Sequence, residues 1–310
     1  KMLFKDDGLA LGTCLQELNS NGADMNLREF YEKMHALNLS NSVFVDCTSS
    51  AEVTSFYESI LSTNISIVTP NKKANSASME AYNLLKSTAF KRGAKFLYET
   101  NVGAGLPVIN TMNDLLLSGD SVIRIEAVLS GTLNFIFSSF EEGRKFSEVI
   151  KEAKAKGYTE PDPRDDLNGM DVARKILILS RETGLSMELS DIKVENLVPE
   201  PCRGEMTVEE FFTCIEKYDH EFEKLRKAAA DRKEKPRYMA ILDKGTVKIQ
   251  LGSVNQNHPF YSLSGSDNII LLTTARYHDR PMVIRGPGAG ADVPAAGAFA
   301  DIIRIGDYSK

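Results

Sequence analysis

The pattern that most restricts the fold is a set of short apolar runs in the first hundred residues: Ser42-Val43-Phe44-Val45-Asp46, Ile65-Ser66-Ile67-Val68 and Lys95-Phe96-Leu97-Tyr98. Stretches with helical spacing separate them, Ala51 to Ser62 and about Ser78 to Lys91. Strands and helices alternating over such short connections imply a parallel sheet covered by helices, with ligands beyond the carboxyl ends of the strands. Two loops leave those ends, Cys47-Thr48-Ser49-Ser50 and Thr69-Pro70-Asn71-Lys72-Lys73. No GxGxxG stands before the strand at Val43, so the glycine fingerprint identifies no cofactor. The chain reads as a piece that starts just after it.

Beyond Ser121 the pattern changes. A strand is expected over Val122 to Leu129, then a small turn at Ser130-Gly131-Thr132, then helices near Leu133 to Glu142 and Phe146 to Lys156. Thr207 and Glu210 form a capping box, and Glu221 to Lys235 reads as a solvated helix. Asp243-Lys244-Gly245 between Tyr238–Leu242 and Thr246–Leu251 signals a hairpin, and Asn268–Thr273 and Pro281–Ile284 extend that sheet. Gly286-Pro287-Gly288-Ala289-Gly290-Ala291 then leads into an apolar helix, Ala295 to Ile305.

At 310 residues and 42% hydrophobic the chain has enough apolar material for one large or two ordinary domains. A net charge of −6 leaves no basic field for nucleic acid. No apolar run approaches the roughly 18 residues that span a bilayer, and the first residues lack a signal-peptide profile, so a cytoplasmic location is expected. Cys14, Cys47, Cys202 and Cys214 are scattered, as are four histidines, which supports neither a disulfide framework nor a zinc site.

Chemistry concentrates between Gly157 and Lys175, where Glu160, Asp162, Asp165, Asp166 and Asp171 surround two prolines. The prolines force an extended segment, and the following helix should begin near Leu167 or Asn168. On that helix Asp171 and Lys175 share one face and Arg174 and Arg181 another, while apolar residues fill nearly everything else. A helix so apolar is mostly buried. With the arginines as its solvent stripe, Asp171 and Lys175 point into the protein or a cleft, where burial opposes and the carboxylate favours the lysine's charge. Spacing alone leaves open the plainer reading, a surface ion pair after an acidic cap. An EF-hand is excluded by the carboxylate spacing. A second cluster, Glu99-Thr100-Asn101-Val102-Gly103-Ala104-Gly105-Leu106-Pro107, has small residues that let backbone carbonyls approach a ligand or ion, or form an ordinary strand-to-helix connection. Lys72 sits at a strand's carboxyl end, where ligands bind.

Together these segments resemble homoserine dehydrogenase, from about Leu9 to Arg304. Gly157 to Lys175 is the most specific stretch; Thr69–Ala74, Asn101–Pro107 and Ser130-Gly131-Thr132 agree in order and spacing. Asp46-Cys47-Thr48-Ser49-Ser50 and Asn71–Ser78 look most like the dehydrogenase portion of the bifunctional aspartokinase/homoserine dehydrogenases. The resemblance implies an α/β chain: a split Rossmann dinucleotide-binding domain, residues 1–106 plus 286–310, with an inserted α/β substrate and dimerisation domain, residues 107–285. Leu106–Asp120 and the strands from Arg237 to Arg285 would form the dimer contact, and an aspartokinase portion could be fused to the chain.

It also implies interconversion of L-homoserine and L-aspartate 4-semialdehyde with NADP or NAD. Lys175 would exchange the proton at the substrate oxygen, with Lys72 as its partner and Asp171 orienting it. Glu160 and Asp166 would hold the substrate ammonium, and Gly131, Thr132 and Tyr158 would touch the substrate. Thr48, Ser49, Pro70, Lys72, Gly288 and Gly290 resemble cofactor contacts. Glu99, Val102, Ala104 and Leu106 match a sodium site. Pro294 stands where the family usually has Thr. Two rivals remain. Aspartate-semialdehyde dehydrogenase chemistry needs a cysteine nucleophile, and Cys47 has no histidine near it in sequence. A noncatalytic metabolite-binding domain would have no use for two convergent lysines beside carboxylates.

Overall fold

In the computed structural model, which describes residues 1–288 and 290–307, helices α1 (Cys14–Asn21) and α2 (Leu27–Leu37) precede the first parallel strand. Strands β1 (Val43–Val45), β2 (Ser66–Val68) and β3 (Phe96–Leu97) pair in that order, with Val43 beside Ser66 and Ile67 beside Phe96. Between β1 and β2 the expected single helix is two, α3 (Ala51–Thr54) and α4 (Tyr57–Ser62). The second turns Tyr57, Ile60 and Leu61 into the core. After β2 come α5 (Lys72–Asn75) and α6 (Met79–Arg92), the latter capped by Ser78 as a helix start requires.

The second half runs α7 (Ile109–Leu117), β4 (Val122–Val128), α8 (Gly131–Ser139), α9 (Phe146–Ala155), α10 (Arg164–Leu167) and α11 (Met170–Glu182). It continues with β5 (Lys193–Val194), α12 (Val208–Ile215), α13 (Asp219–Asp231), β6 (Lys235–Asp243), β7 (Thr246–Val254), β8 (Asp267–Thr274) and β9 (Met282–Pro287). A six-stranded sheet results, in the order β5-β7-β6-β4-β8-β9 and antiparallel except at β5–β7. Alternate residues of its strands, among them Ile125, Ala127, Ala240, Leu242, Ile270 and Leu272, join the helices in the main core. The other face holds a smaller core around Met239, Phe260 and Leu271.

The last helix, α14 (Asp292–Asp307), returns to the three-stranded sheet, where Ala298 and Ile305 pack with Val68. A segment from the far end of the chain thus packs against the three-stranded sheet. Pro294 lies in the first turn of α14, where a missing amide hydrogen costs nothing. The described residues contain no helix long and apolar enough to cross a membrane.

Three further expectations need correction. The expected helix over Glu221–Lys235 ends at Asp231, because Lys233 adopts a left-handed φ of 58° and Lys235 opens β6. Cys202 and Cys214 form a disulfide, since α12 folds back on the turn holding Cys202 and brings their Cα atoms to 5.8 Å. The helix after the acidic segment does not start at Leu167 or Asn168; it is broken into α10 and α11 by Gly169, at φ 75°. A Cβ at that position would strike the Tyr238 hydroxyl and approach Val194. Gly169→Ala should combine left-handed strain with this overlap and cost about 2–4 kcal/mol, read as a lower urea midpoint at unchanged slope.

Candidate active site

The break at Gly169 aims α11 so that its first turn faces α5. Asn168 accepts a hydrogen bond from the Met170 amide (2.8 Å), and one turn later the Lys175 ammonium meets the Asp171 carboxylate at 2.8 Å. The other oxygen of Asp171 lies 3.3 Å from Nζ of Lys72, the first residue of α5. One carboxylate thus joins lysines from both halves of the molecule. Lys175 also donates to the carbonyl of Leu129 (2.7 Å), just past β4.

Of the Asp171 side chain 47% is accessible, against 14% for Lys175 and 30% for Lys72. Desolvation by itself would raise its pKa; the charges of Lys175 and then Lys72 overcome that and hold the carboxyl well below the usual range. Asp166 behaves in the opposite way. Burial pushes it from 3.8 up to about 6, despite a hydrogen bond from the Glu160 amide (2.8 Å), and the charges of Glu160 and Asp171 push the same way. Glu160, Asp166 and Asp171 therefore form one electrostatic neighbourhood.

Around it, Thr132 donates to the Tyr158 carbonyl, and the half-open Tyr158 ring stands edge-on to Phe135 at 4.9 Å. Gly131 opens α8, whose Ser130 cap accepts from the Leu133 amide at 3.1 Å. Asp162, by contrast, turns away to chelate Arg164, which also donates to the carbonyls of Gly204 and Met206.

The loops following β1 and β2 are bolted together. Asp46, buried at the end of β1, accepts from the Thr48 amide (2.7 Å), the Tyr57 hydroxyl (2.5 Å) and the Asn71 side chain (3.0 Å). Asn71 also donates to the Ser50 carbonyl (2.9 Å) and caps α5 by accepting from the Lys73 amide. Exposed Thr48 and Ser49, Pro70 and Lys72 thus share one fixed ledge. Cys47 is on it too, but burial and then Asp46 push its thiol pKa up, opposite to an activated nucleophile. Gly288 lies against the Asn268 side chain, with no room for a Cβ, and Gly290 has a φ of 109°; Ala289 of the same loop lies outside the described residues, as do 308–310.

Glu99 and its neighbours form a separate cluster. The buried Glu99 carboxylate accepts from the amides of Ile109 (2.8 Å) and Asn110 (2.9 Å) and from the Asn110 side chain. Among the described residues no basic side chain pairs with it, and burial raises its pKa against these bonds. Val102 and Ala104 lie on the intervening turn, and the Leu106 carbonyl accepts from the Val108 amide.

The arginine stripe on α11 is not solvated. Arg181 is 3% exposed and donates to the carbonyls of Met187 and Asn75, and Arg174 donates to Ser76. An arginine on an otherwise apolar helix was the available signal: its five donors can be satisfied by carbonyls, which spacing cannot show. The Leu129 carbonyl and the Asp46 network carried no sequence signal.

Two family models match. One described as homoserine dehydrogenase covers residues 107–303, and one described as homoserine dehydrogenase, NAD binding domain, covers residues 6–99. Over 313 residues the chain is 46% identical to the chloroplastic bifunctional aspartokinase/homoserine dehydrogenase 2 of Arabidopsis thaliana, matching 99% of this chain and 34% of that one. The chain spans about a third of the length of such bifunctional relatives. With a homoserine dehydrogenase of Schizosaccharomyces pombe it shares 44% identity over 85% of its own length and 72% of the relative's. Among solved structures, a Candida auris protein of unknown function superimposes with a TM-score of 0.89 at 38% identity, covering 95% of this chain and 84% of that one. A hyperthermophilic archaeal homoserine dehydrogenase in complex with NADPH shares the fold, with a TM-score of 0.72 at 24% identity over 95% and 82% of the two chains.

Asp166 makes stability depend on pH in a defined direction. Its folded-state pKa is raised, so its contribution is complete below about 4 and is lost as pH rises through 6. Relative to wild type, Asp166→Asn should gain on the order of 2 kcal/mol between pH 4 and pH 7, measured by urea unfolding at each pH.

Proposed function

The chain belongs to the homoserine dehydrogenase family, and from that premise we propose that it interconverts L-homoserine and L-aspartate 4-semialdehyde with NADP or NAD. The observation that carries this reading is the bridge from Lys72 through Asp171 to Lys175. An ammonium has three donors; the Leu129 carbonyl and Asp171 take two from Lys175, which leaves one for a substrate oxygen. In the reducing direction Lys175 passes that proton to the aldehyde oxygen, and in the oxidising direction the amine takes it from the hydroxyl. Lys72 stabilises negative charge developing on the same oxygen, and Asp171 orients both lysines. Glu160 and Asp166 supply negative charge for the substrate ammonium, while Gly131, Thr132 and Tyr158 line the remaining wall.

The ledge held by Asp46 and Asn71 fits the nicotinamide end of a dinucleotide, which Thr48, Ser49, Pro70, Lys72, Gly288 and Gly290 would hold. Bound there, it would supply the hydride acceptor or donor. A sodium ion fits beside Glu99, whose buried charge is otherwise offset only by amide donors; the carbonyls of Val102, Ala104 and Leu106 would complete the site. The dinucleotide domain is assigned to residues 1–106 plus 286–310 and the substrate and dimerisation domain to 107–285. The exposure of Leu117 (86%) and Val283 (48%) supports a homodimer contact through the second domain. The product would feed threonine, methionine and isoleucine synthesis in the cytoplasm, and the bifunctional relatives support fusion to an aspartokinase.

The test is homoserine-dependent reduction of NADP and of NAD. Lys175→Ala should lower kcat at least about a hundredfold while the melting temperature stays within about 3 °C of wild type. A large loss of stability with turnover retained would mark Lys175 as a structural ion pair.

A further inference from the structure

Lys72 and Lys175 reach one carboxylate from different domains, so something must fix the register of α5 against α11. Besides the Lys72–Asp171 pair itself, hydrogen bonds from the arginines of α11 join α11 to α5 and the residue after it. Arg174, next to Lys175, donates to Oγ of Ser76 at 2.9 Å, and that hydroxyl donates to the carbonyl of Lys72 itself at 2.8 Å. Two turns along, buried Arg181 donates through Nη1 to the Asn75 carbonyl (2.9 Å), the last residue of α5. Its Nε and Nη2 hold the Met187 carbonyl, and Nη2 also meets Glu188 at 3.2 Å. Glu188 in turn accepts from the Met79 amide (2.8 Å) at the start of α6. The Asn75 side chain closes the circuit: it donates to Asn101, which donates to the Thr69 carbonyl just before the Lys72 loop.

We propose that Arg174 and Arg181 are positioning residues, a two-point clasp that sets Lys72 at the distance from Asp171 and Lys175 which the reaction needs. This rests on the reading of Lys72 and Lys175 given above. Arg181 anchors the end of α5, and Arg174 fixes its beginning through Ser76. Neither guanidinium pairs with Asp171, so their effect on the site passes through backbone placement. A displacement of Lys72 by about 1 Å would cost on the order of a hundredfold in turnover while leaving Thr48 and Ser49, whose loop is held by Asp46, in place.

The experiment compares Arg174→Met, Arg174→Lys, Ser76→Ala and the double variant Arg174→Met/Ser76→Ala with wild type. Arg174→Met should lower kcat by about tenfold or more, with a clearly smaller change in the Kd for NADPH, since the other cofactor contacts do not depend on the clasp. Arg174→Lys, which keeps a charged donor for the Ser76 hydroxyl, should recover most of that loss. The double variant should be no slower than the worse single one, because both changes cut the same link. Additive losses, an unchanged kcat in Arg174→Met, or failure of lysine to rescue would overturn the clasp. Arg181→Met adds a second point; should it not fold, the Arg174 and Ser76 series still decides. Amide hydrogen exchange over residues 72–76 provides a readout independent of turnover, and Arg174→Met should speed it about tenfold. A wild-type protein without homoserine-dependent turnover would sink the functional reading and leave the exchange comparison to decide the clasp. Unchanged exchange would end the proposal even with an active enzyme.

Discussion

One carboxylate between two ammonium groups governs the geometry of the cleft. Without Asp171, Lys72 and Lys175 would repel each other, and both are partly withdrawn from water. With it, the three groups together carry a net single positive charge. The cost of gathering these charges is borne by the surrounding chain, through the Leu129 carbonyl, the Ser76 hydroxyl and the buried arginines. A buried ion pair is weak evidence of stability. Here its partners come from separate domains, so its value lies in alignment.

The acidic wall works on a different balance. Asp171 is held charged by cations, whereas Asp166, only five residues earlier, is starved of them and titrates near neutrality. Two carboxylates on consecutive short helices thus diverge by environment alone. Asp171 is already committed to the lysines. Among the described residues neither Asp166 nor Glu160 forms an ion pair.

Much of this was legible in the residues. Short apolar runs alternating with helical stretches placed the parallel strands, the capping box at Thr207 started its helix where expected, and Asp243-Lys244-Gly245 turned the hairpin. The Asp171–Lys175 pair followed from helical spacing. Lys72 reaching the same carboxylate is a long-range event, and only family resemblance pointed to it. The errors share a cause. Arg181 was read as solvated and the Cys202–Cys214 pair as unlinked because periodicity reports which face a residue occupies, and says nothing of what distant chain is laid over it. The helix break at Gly169 likewise depends on the Tyr238 hydroxyl nearby.

The return of α14 has a bearing on how the molecule assembles. The Glu99 amide donates to Asp301 across 202 residues of chain, and the apolar face of α14 covers Val68. The three-stranded sheet therefore stays open along one side until α14 has left the ribosome, by which time the intervening region, with its own sheet and core, can already have condensed. Once that region is compact, closing so long a loop costs little extra entropy, and the side of the sheet under α14 is made of contacts far apart in sequence.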